Sequence, residues 1–193
     1  MLALLSAGLG GCASLPRTAP PELLQQARTA QSYRAELGVR LRGPELRART
    51  RALVAFARPD RMRLEIAGPA GARFVAVAGG GALLAVFPAE RAVFRSGASA
   101  DDMERLIGVA LSPAQMLDAL LGVAPPDVRA YRASWGPRLP LRIETTLRDG
   151  ARLRLDVADP EPDAALPPQA FDAPPHAGYR QVDAAEARSL WSR

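Results

Sequence analysis

The chain has 193 residues and a formal net charge of +5, from 25 Lys+Arg and 20 Asp+Glu. All of those 25 bases are arginine, which excludes a P-loop lysine, a lysine Schiff base and a lysine general base. Cys12 is the one cysteine and His176 the one histidine, so an intramolecular disulfide and a Cys–His catalytic pair on top of any other use of Cys12 are excluded too. Lysine and asparagine are both absent while Ala, Arg, Pro and Gly dominate. That pattern fits a codon bias, so the arginine count by itself says little about partners.

The apolar run Met1 to Leu9 ends in Leu9-Gly10-Gly11-Cys12. It resembles a bacterial lipoprotein signal sequence, which implies export, cleavage before Cys12 and acylation of Cys12. Met1 to Gly11 contains no arginine, so the basic start of such a signal would lie upstream, in a longer leader. Nothing after Cys12 approaches the roughly 20 apolar residues of a membrane span. The expectation is a protein anchored by lipid rather than one that spans. Residues 1–11 are read as signal, 12–30 as tether and short helix, 31–182 as one domain and 183–193 as a tail. About 180 residues suffice for a single domain with its own core.

Ala13 to Pro21 is a linker, with Pro16, Pro20 and Pro21 opposing helix and ladder pairing. Leu23, Leu24 and Ala27 have helical spacing within Glu22–Gln31. From Tyr33 the period becomes two: Tyr33, Ala35, Leu37, Val39 and Leu41 alternate with Arg34, Glu36, Gly38, Arg40 and Arg42, the mark of a strand with one wet and one dry face. After Gly43-Pro44, Ala48 to Phe56 alternate against Arg47, Arg49 and Arg51. Met62, Leu64 and Ile66 then alternate with Arg61, Arg63 and Glu65. Strands at Arg73–Ala78, Ala82–Phe87 and Arg91–Arg95 follow, separated by Gly79-Gly80-Gly81 and Pro88-Ala89-Glu90. Such short connections predict an antiparallel meander, not βαβ units.

The pattern breaks at Ser99. Asp101 and Asp102 sit at a helix start, with Met103, Leu106, Ile107 and Ala110 on one face. Ser112-Pro113 opens a second helix, striped by Met116, Leu117, Leu120 and Leu121 and ended by Gly122. After Pro125-Pro126 the alternation resumes in Val128–Trp135, in Leu139–Leu147, and, past the Asp149-Gly150 turn, in Leu153–Val157. The segment from Asp159 to Pro175 reads as irregular but packed around Phe171.

The predicted fold class is mainly β (α+β). One curved antiparallel sheet of about nine strands forms an incomplete barrel, with the helical insert over its opening. Several inward positions are small: Ala35, Ala48, Ala52, Ala76 and Ala85. Either ordinary packing closes this face, or it leaves apolar space suited to an acyl chain.

Asp60 to Gly71 (DRMRLEIAGPAG), Arg105-Leu106-Ile107-Gly108, Leu111-Ser112-Pro113 and Leu120-Leu121-Gly122 together resemble the LolB family of outer-membrane lipoproteins. These receive other lipoproteins from the periplasmic carrier LolA. The similarity runs from about Tyr33 to Pro126. Farther on, Leu166 to Phe171 with Pro174 and Gly178 is similar to the wider LolA/LolB-like superfamily. The resemblance implies an apolar cavity for acyl chains, lined here by Leu37, Val39, Val54, Phe56, Leu64, Ile66, Leu141 and Ile143 and gated by Leu106, Leu117 and Leu121. It also implies a membrane-delivery loop at Pro69 and Ala70. In LolB proteins that loop presents a bulky apolar residue, often leucine. Burying a leucine is worth about 1.5–3 kcal/mol and alanine supplies much less, so Phe74 nearby is the candidate substitute.

No cofactor, metal site or catalytic group is expected. His176 lies between Pro175 and Ala177 as a surface residue, Asp101 and Asp102 are helix-start charges, and Gly79-Gly80-Gly81 is a hairpin turn without a phosphate-loop lysine. No nucleic-acid partner is expected, because the arginines alternate as on a solvated sheet face. Arg47, Arg49 and Arg51 form a local stripe, open to solvent, anionic headgroups or an acidic partner. The expected partners are acylated lipoproteins or lipids, a LolA-like carrier, and the outer membrane at its periplasmic face through the lipid anchor, with the protein a monomer. Ala13 after Cys12, in place of aspartate, favours the outer membrane. An envelope scaffold or sensor on the same fold and a carrier of free lipids are the alternatives.

Overall fold

The computed structural model describes residues 21–44, 46–69 and 71–191. Residues 1–11, expected to be a signal, and Cys12, Ala13 and Ala70 lie outside the described residues. The runs read as strands form β1 (Ser32–Arg42), β2 (Arg47–Ala57), β3 (Arg61–Gly68), β4 (Gly71–Gly79), β5 (Ala82–Phe87), β6 (Ala92–Gly97), β7 (Ala130–Trp135), β8 (Pro140–Thr146) and β9 (Arg152–Pro162). A tenth strand, β10 (Arg180–Gln181), was not legible in the pattern. The helices are α1 (Pro21–Thr29), α2 (Ala100–Ile107), α3 (Pro113–Leu120) and α4 (Ala184–Trp191).

The ten strands make one open, curved sheet in the order β10-β6-β5-β4-β3-β2-β1-β9-β8-β7. It is not a closed barrel, and the fold is mostly β as expected. Strands β1 to β6 pair in succession as antiparallel hairpins, as do β7 to β9; β9 returns to pair with β1, and β10 alone runs parallel to its neighbour, β6. Register puts apolar side chains in rows across the inner face. Leu37 stands opposite Ala52 and Val157, and Leu41 opposite Ala48 and Leu153. The intervening residues, mostly arginines and acids, form the outer face. No helix among the described residues is long and apolar enough to cross a membrane.

Both insert helices begin with a capping box. In α2 the Asp102 N–H donates to Ser99 Oγ at 3.1 Å, and the Ser99 N–H donates to Asp102 Oδ2 at 3.3 Å. In α3 the same exchange joins Ser112 and Gln115, with Pro113 in the first turn. The segment read as a tail contains α4. Its start is fixed by the Glu186 N–H donating to Asp183 Oδ1 at 2.8 Å. α4 packs on α2 and β6 and buries Ala187, Leu190 and Trp191. The Pro-rich stretch is more ordered than its composition suggested. β9 extends to Pro162, and a short 3-10 turn (Pro168–Phe171) packs on β3, with the Arg61 guanidinium 4.4 Å from the Phe171 ring centre.

On the outer face Asp156 accepts from Arg142 Nε at 2.8 Å and Arg154 Nη2 at 3.2 Å. Partial burial pushes its carboxyl up, but these hydrogen bonds and the two guanidinium charges outweigh that and hold it below the ordinary carboxylate value. A carboxyl lowered in the folded state stabilises the protein fully above its unfolded value, near 3.9, and that contribution is lost as pH falls through the folded value. Asp156→Asn should therefore lower the unfolding midpoint at pH 7. The gap to wild type should close below about pH 4 in a pH series of thermal melts; a gap independent of pH would contradict this.

Candidate functional site: an apolar cavity between the sheet and the helices

The inner face of the sheet and the helices enclose an apolar cavity of about 70 Å³. Its floor comes from five strands. β1 supplies Leu37, Val39 and Leu41; β2 supplies Thr50, Ala52, Val54 and Phe56; β3 supplies Leu64 and Ile66. Ile143 and Thr145 of β8 and Leu153 and Leu155 of β9 complete it. The roof is Ile107 at the end of α2, Val109 and Leu111 in the connector, Met116, Ala119 and Leu120 of α3, and Trp191 of α4. Small Ala52 opposite Leu37 leaves room where a larger residue would meet the roof. Cavities of about 150 Å³ with similar walls hold a single benzene, so the enclosed volume is smaller than an acyl chain.

Seven of the residues chosen from sequence meet at this cavity: Leu37, Val39, Val54, Phe56, Leu64, Ile66 and Ile143. Leu141 stands apart from it. Although it shares the parity of Ile143, it is half-buried near the start of β8, where its side chain lies against Gly136. The three proposed gate residues, Leu106, Leu117 and Leu121, are buried but do not line the cavity. Their neighbours Ile107, Met116 and Leu120 take that place. The helices are buried on more than one side, α2 also against α4, so a sequence stripe leaves open which of its edges faces the sheet. Pro69 is exposed at the β3–β4 turn. Phe74 is buried against Phe87, with ring centres 5.3 Å apart, and is not available to replace a protruding apolar residue on that turn.

Sequence reasoning missed Trp191, although Ala187, Leu190 and Trp191 are spaced i, i+3, i+4, a helical signal. It also passed over Leu41, Leu153 and Leu155, which continue the same alternation as the residues it chose.

Two threonines bring hydroxyls to the wall, and both are occupied. Thr145 Oγ1 donates to Ala130 O at 2.8 Å, and Thr50 Oγ1 to Arg51 O at 3.4 Å. Among the described residues the buried Trp191 Nε1–H has no acceptor and the buried Tyr33 hydroxyl no partner. Tyr131 donates its hydroxyl to Ala119 O at 2.7 Å, tying β7 to α3. Burial pushes the phenol pKa of Tyr33 and Tyr131 above the ordinary range, with Tyr33 adding to the shift at Tyr131, so both stay neutral. Among the described residues no group of three or more His, Cys, Asp or Glu could hold a metal ion.

Arg58 ties the roof to the sheet. From the β2–β3 turn its Nη2 donates to Asp118 Oδ1 of α3 at 2.8 Å, its Nε donates to Ala30 O at 3.0 Å, and its backbone N–H donates to Gln31 O at 2.8 Å. Both side chains of the ion pair are half-buried. Arg58→Gln should lower stability by about 1 kcal/mol. It should also speed hydrogen exchange in α3 relative to the strands. Unchanged α3 exchange would mean that the ion pair does not hold the roof.

No family model and no curated protein sequence matches the chain. Several solved structures are similar to it. A LolA superfamily protein from Nitrosomonas europaea is 14% identical with a TM-score of 0.46, covering 79% of this chain and 96% of that one. A DUF1329 family protein from Desulfovibrio piger is 13% identical with a TM-score of 0.41, covering 78% of this chain and 95% of that one. A domain described as an outer membrane lipoprotein-sorting protein, from Vibrio parahaemolyticus, is 9% identical with a TM-score of 0.39, covering 78% of this chain and 95% of that one.

Proposed function

We propose that this protein binds acyl chains between its sheet and its helical roof, and accepts or carries lipoproteins destined for the outer membrane. The observation that carries the reading is the cavity wall. Every strand contributing to the floor presents apolar side chains, and the wall's two threonine hydroxyls are already bonded within the protein. Such a wall offers no convergent polar groups for chemistry and suits an aliphatic ligand. The cavity of about 70 Å³ is the closed state, and uptake requires α3 to move away from β3 and β8, the strands it packs on. Acylation of Cys12 would hold the protein on the periplasmic face of the outer membrane, and a LolA-like carrier would supply the acylated lipoprotein.

Native mass spectrometry on the chain with Cys12→Ala, made by export, tests this reading. A co-purified acylated polypeptide, or one retained after incubation with an acylated peptide, supports it. Bound free lipid in its place would make the protein a lipid carrier. A ligand-free mass after both treatments would overturn acyl binding and leave a scaffold or sensor with a filled interior.

A further inference from the structure

Two rows of arginines cross the outer face of the sheet, near the end where β1 turns into β2 and β8 into β9. In one row Arg40 of β1 stands opposite Arg49 of β2 on one side and Arg154 of β9 on the other. In the next, Arg42 stands opposite Arg47 and Arg152. Strands lie about 4.8 Å apart and same-face residues about 6.8 Å apart, so six guanidinium groups rise from backbone only about 10 Å by 7 Å in extent. Arg40, Arg42, Arg47, Arg49 and Arg152 line one groove of about 740 Å³. Like charges directly opposite one another destabilise a sheet, and each row holds two such pairs.

Among the described residues, carboxylates neutralise one side of this patch only. Asp156 lies 4.0 Å from Arg40 and 3.2 Å from Arg154, and Glu144 lies 3.8 Å from Arg154. Among the described residues, Arg42, Arg47, Arg49 and Arg152 have no carboxylate at ion-pair distance. The groove also lacks the apolar anchor that a protein partner's interface core requires. The exposed large apolar side chain of the described surface, Leu53, is not among its lining residues. A surface dominated by arginine, with no exposed large apolar anchor, suits a layer of phosphates better than a shaped protein.

We propose that this arginine patch docks the protein on an anionic phospholipid surface, the headgroup phosphates neutralising the charge that the sheet leaves unpaired. The guanidinium fork matches phosphate oxygens in pairs, and each arginine close to such a surface strengthens partitioning by about fivefold. Along these strands Arg40 alternates with Leu41, Arg49 with Thr50 and Arg152 with Leu153. A sheet docked this way therefore turns its cavity-lining face away from the headgroups. The proposal does not depend on acyl binding.

Vesicle sedimentation with the full chain carrying Cys12→Ala, which removes the acylation site, tests it. Vesicles of phosphatidylcholine are compared with vesicles holding about 30% phosphatidylglycerol. The protein should bind only the second kind, and binding should vanish as salt rises from about 0.05 M to about 0.5 M, where screening shortens to a few ångströms. Replacing Arg42, Arg47, Arg49 and Arg152 together by Gln should weaken binding by more than about a hundredfold, and Arg49→Gln alone by about fivefold. All four side chains are exposed, and removing like-charge pairs should leave the thermal midpoint equal or higher, which a melt confirms. If the fourfold variant does not fold, Arg49→Gln and the salt series decide. Absent binding to the anionic vesicles, binding insensitive to salt, or unchanged binding by the variants would each overturn the proposal. Capture of polyglutamate without capture of vesicles would overturn it in favour of an acidic protein partner.

Discussion

Ala52→Leu should weaken acyl binding by at least about tenfold and leave the protein folded. Ala52 is 3% exposed on the inner face of β2, opposite Leu37, and its side chain lines the cavity. Leucine adds three carbon atoms, a volume of the same order as the cavity of about 70 Å³. Each newly buried methylene contributes about 0.8 kcal/mol, while overpacking costs about 1–3 kcal/mol. The two nearly offset, so stability should stay within about 1 kcal/mol of wild type. In the opened complex the leucine occupies part of the space the acyl chain would take. Affinity for a fluorescent fatty acid should fall by at least about tenfold, because the same overpacking now falls on the complex. Wild-type affinity in a folded Ala52→Leu protein would place the acyl chain elsewhere. This variant reads the site better than an aspartate at Val54 or Ile66, which buries an unpaired charge and so confuses lost binding with lost folding.

Gly122→Ala should cost about 2–5 kcal/mol, from a left-handed backbone and a steric clash together. Gly122 follows α3 with φ +87, and an added Cβ would lie 2.3 Å from Trp135 Cζ2, 2.6 Å from Cη2 and 3.3 Å from Pro140 Cγ. Trp135 is itself 3% exposed, so its ring has no open solvent to swing into. The thermal midpoint should drop by on the order of 10 °C. Gly80→Ala supplies the control. Gly80 has φ +59 in the β4–β5 turn, but an added Cβ there meets nothing within 4 Å, so only the backbone strain of about 1–2 kcal/mol remains. Equal losses at the two positions would mean that the Trp135 contact is relieved at little cost.

Six of the nine longer strands, β1 to β3 and β7 to β9, were legible because their sequences obey a period of two, and β4 to β6 because short glycine- and proline-containing turns bound their apolar runs. From Tyr33 to Leu41 an inward apolar residue follows each outward polar one or glycine. The two helix starts were legible from local signals too, the acidic pair Asp101 and Asp102 at one and Ser112-Pro113 at the other. What sequence did not yield depends on distant contacts. Two residues, Arg180 and Gln181, carry no period, and their strand exists because β6 offers a free edge beside them. The side of α2 and α3 that meets the cavity is set by a competition between the sheet and α4. The gate residues chosen from their apolar stripes, Leu106, Leu117 and Leu121, therefore lie on the right helices and the wrong edge. Trp191 closes the roof from a helix some eighty residues farther along the chain than α2, a closeness that only the folded sheet creates. The arginine rows show the same limit. The stripe on β2 was visible in sequence, but its continuation across β1 and β9 is a matter of register.

An open sheet leaves two margins whose backbone groups can recruit a strand from another molecule, the route by which β-rich proteins polymerise. Here both margins are poor templates. The two-residue β10 lies along β6 and offers a newcomer almost no length to copy. At the other margin β7 has six residues, presents the exposed Arg132, and loses register between Ser134 and Trp135. Short length, an outward charge and a broken ladder are the devices by which edge strands resist fibre growth. The sheet thus stays open, rather than closing into a barrel, without offering its edges as a seed for aggregation.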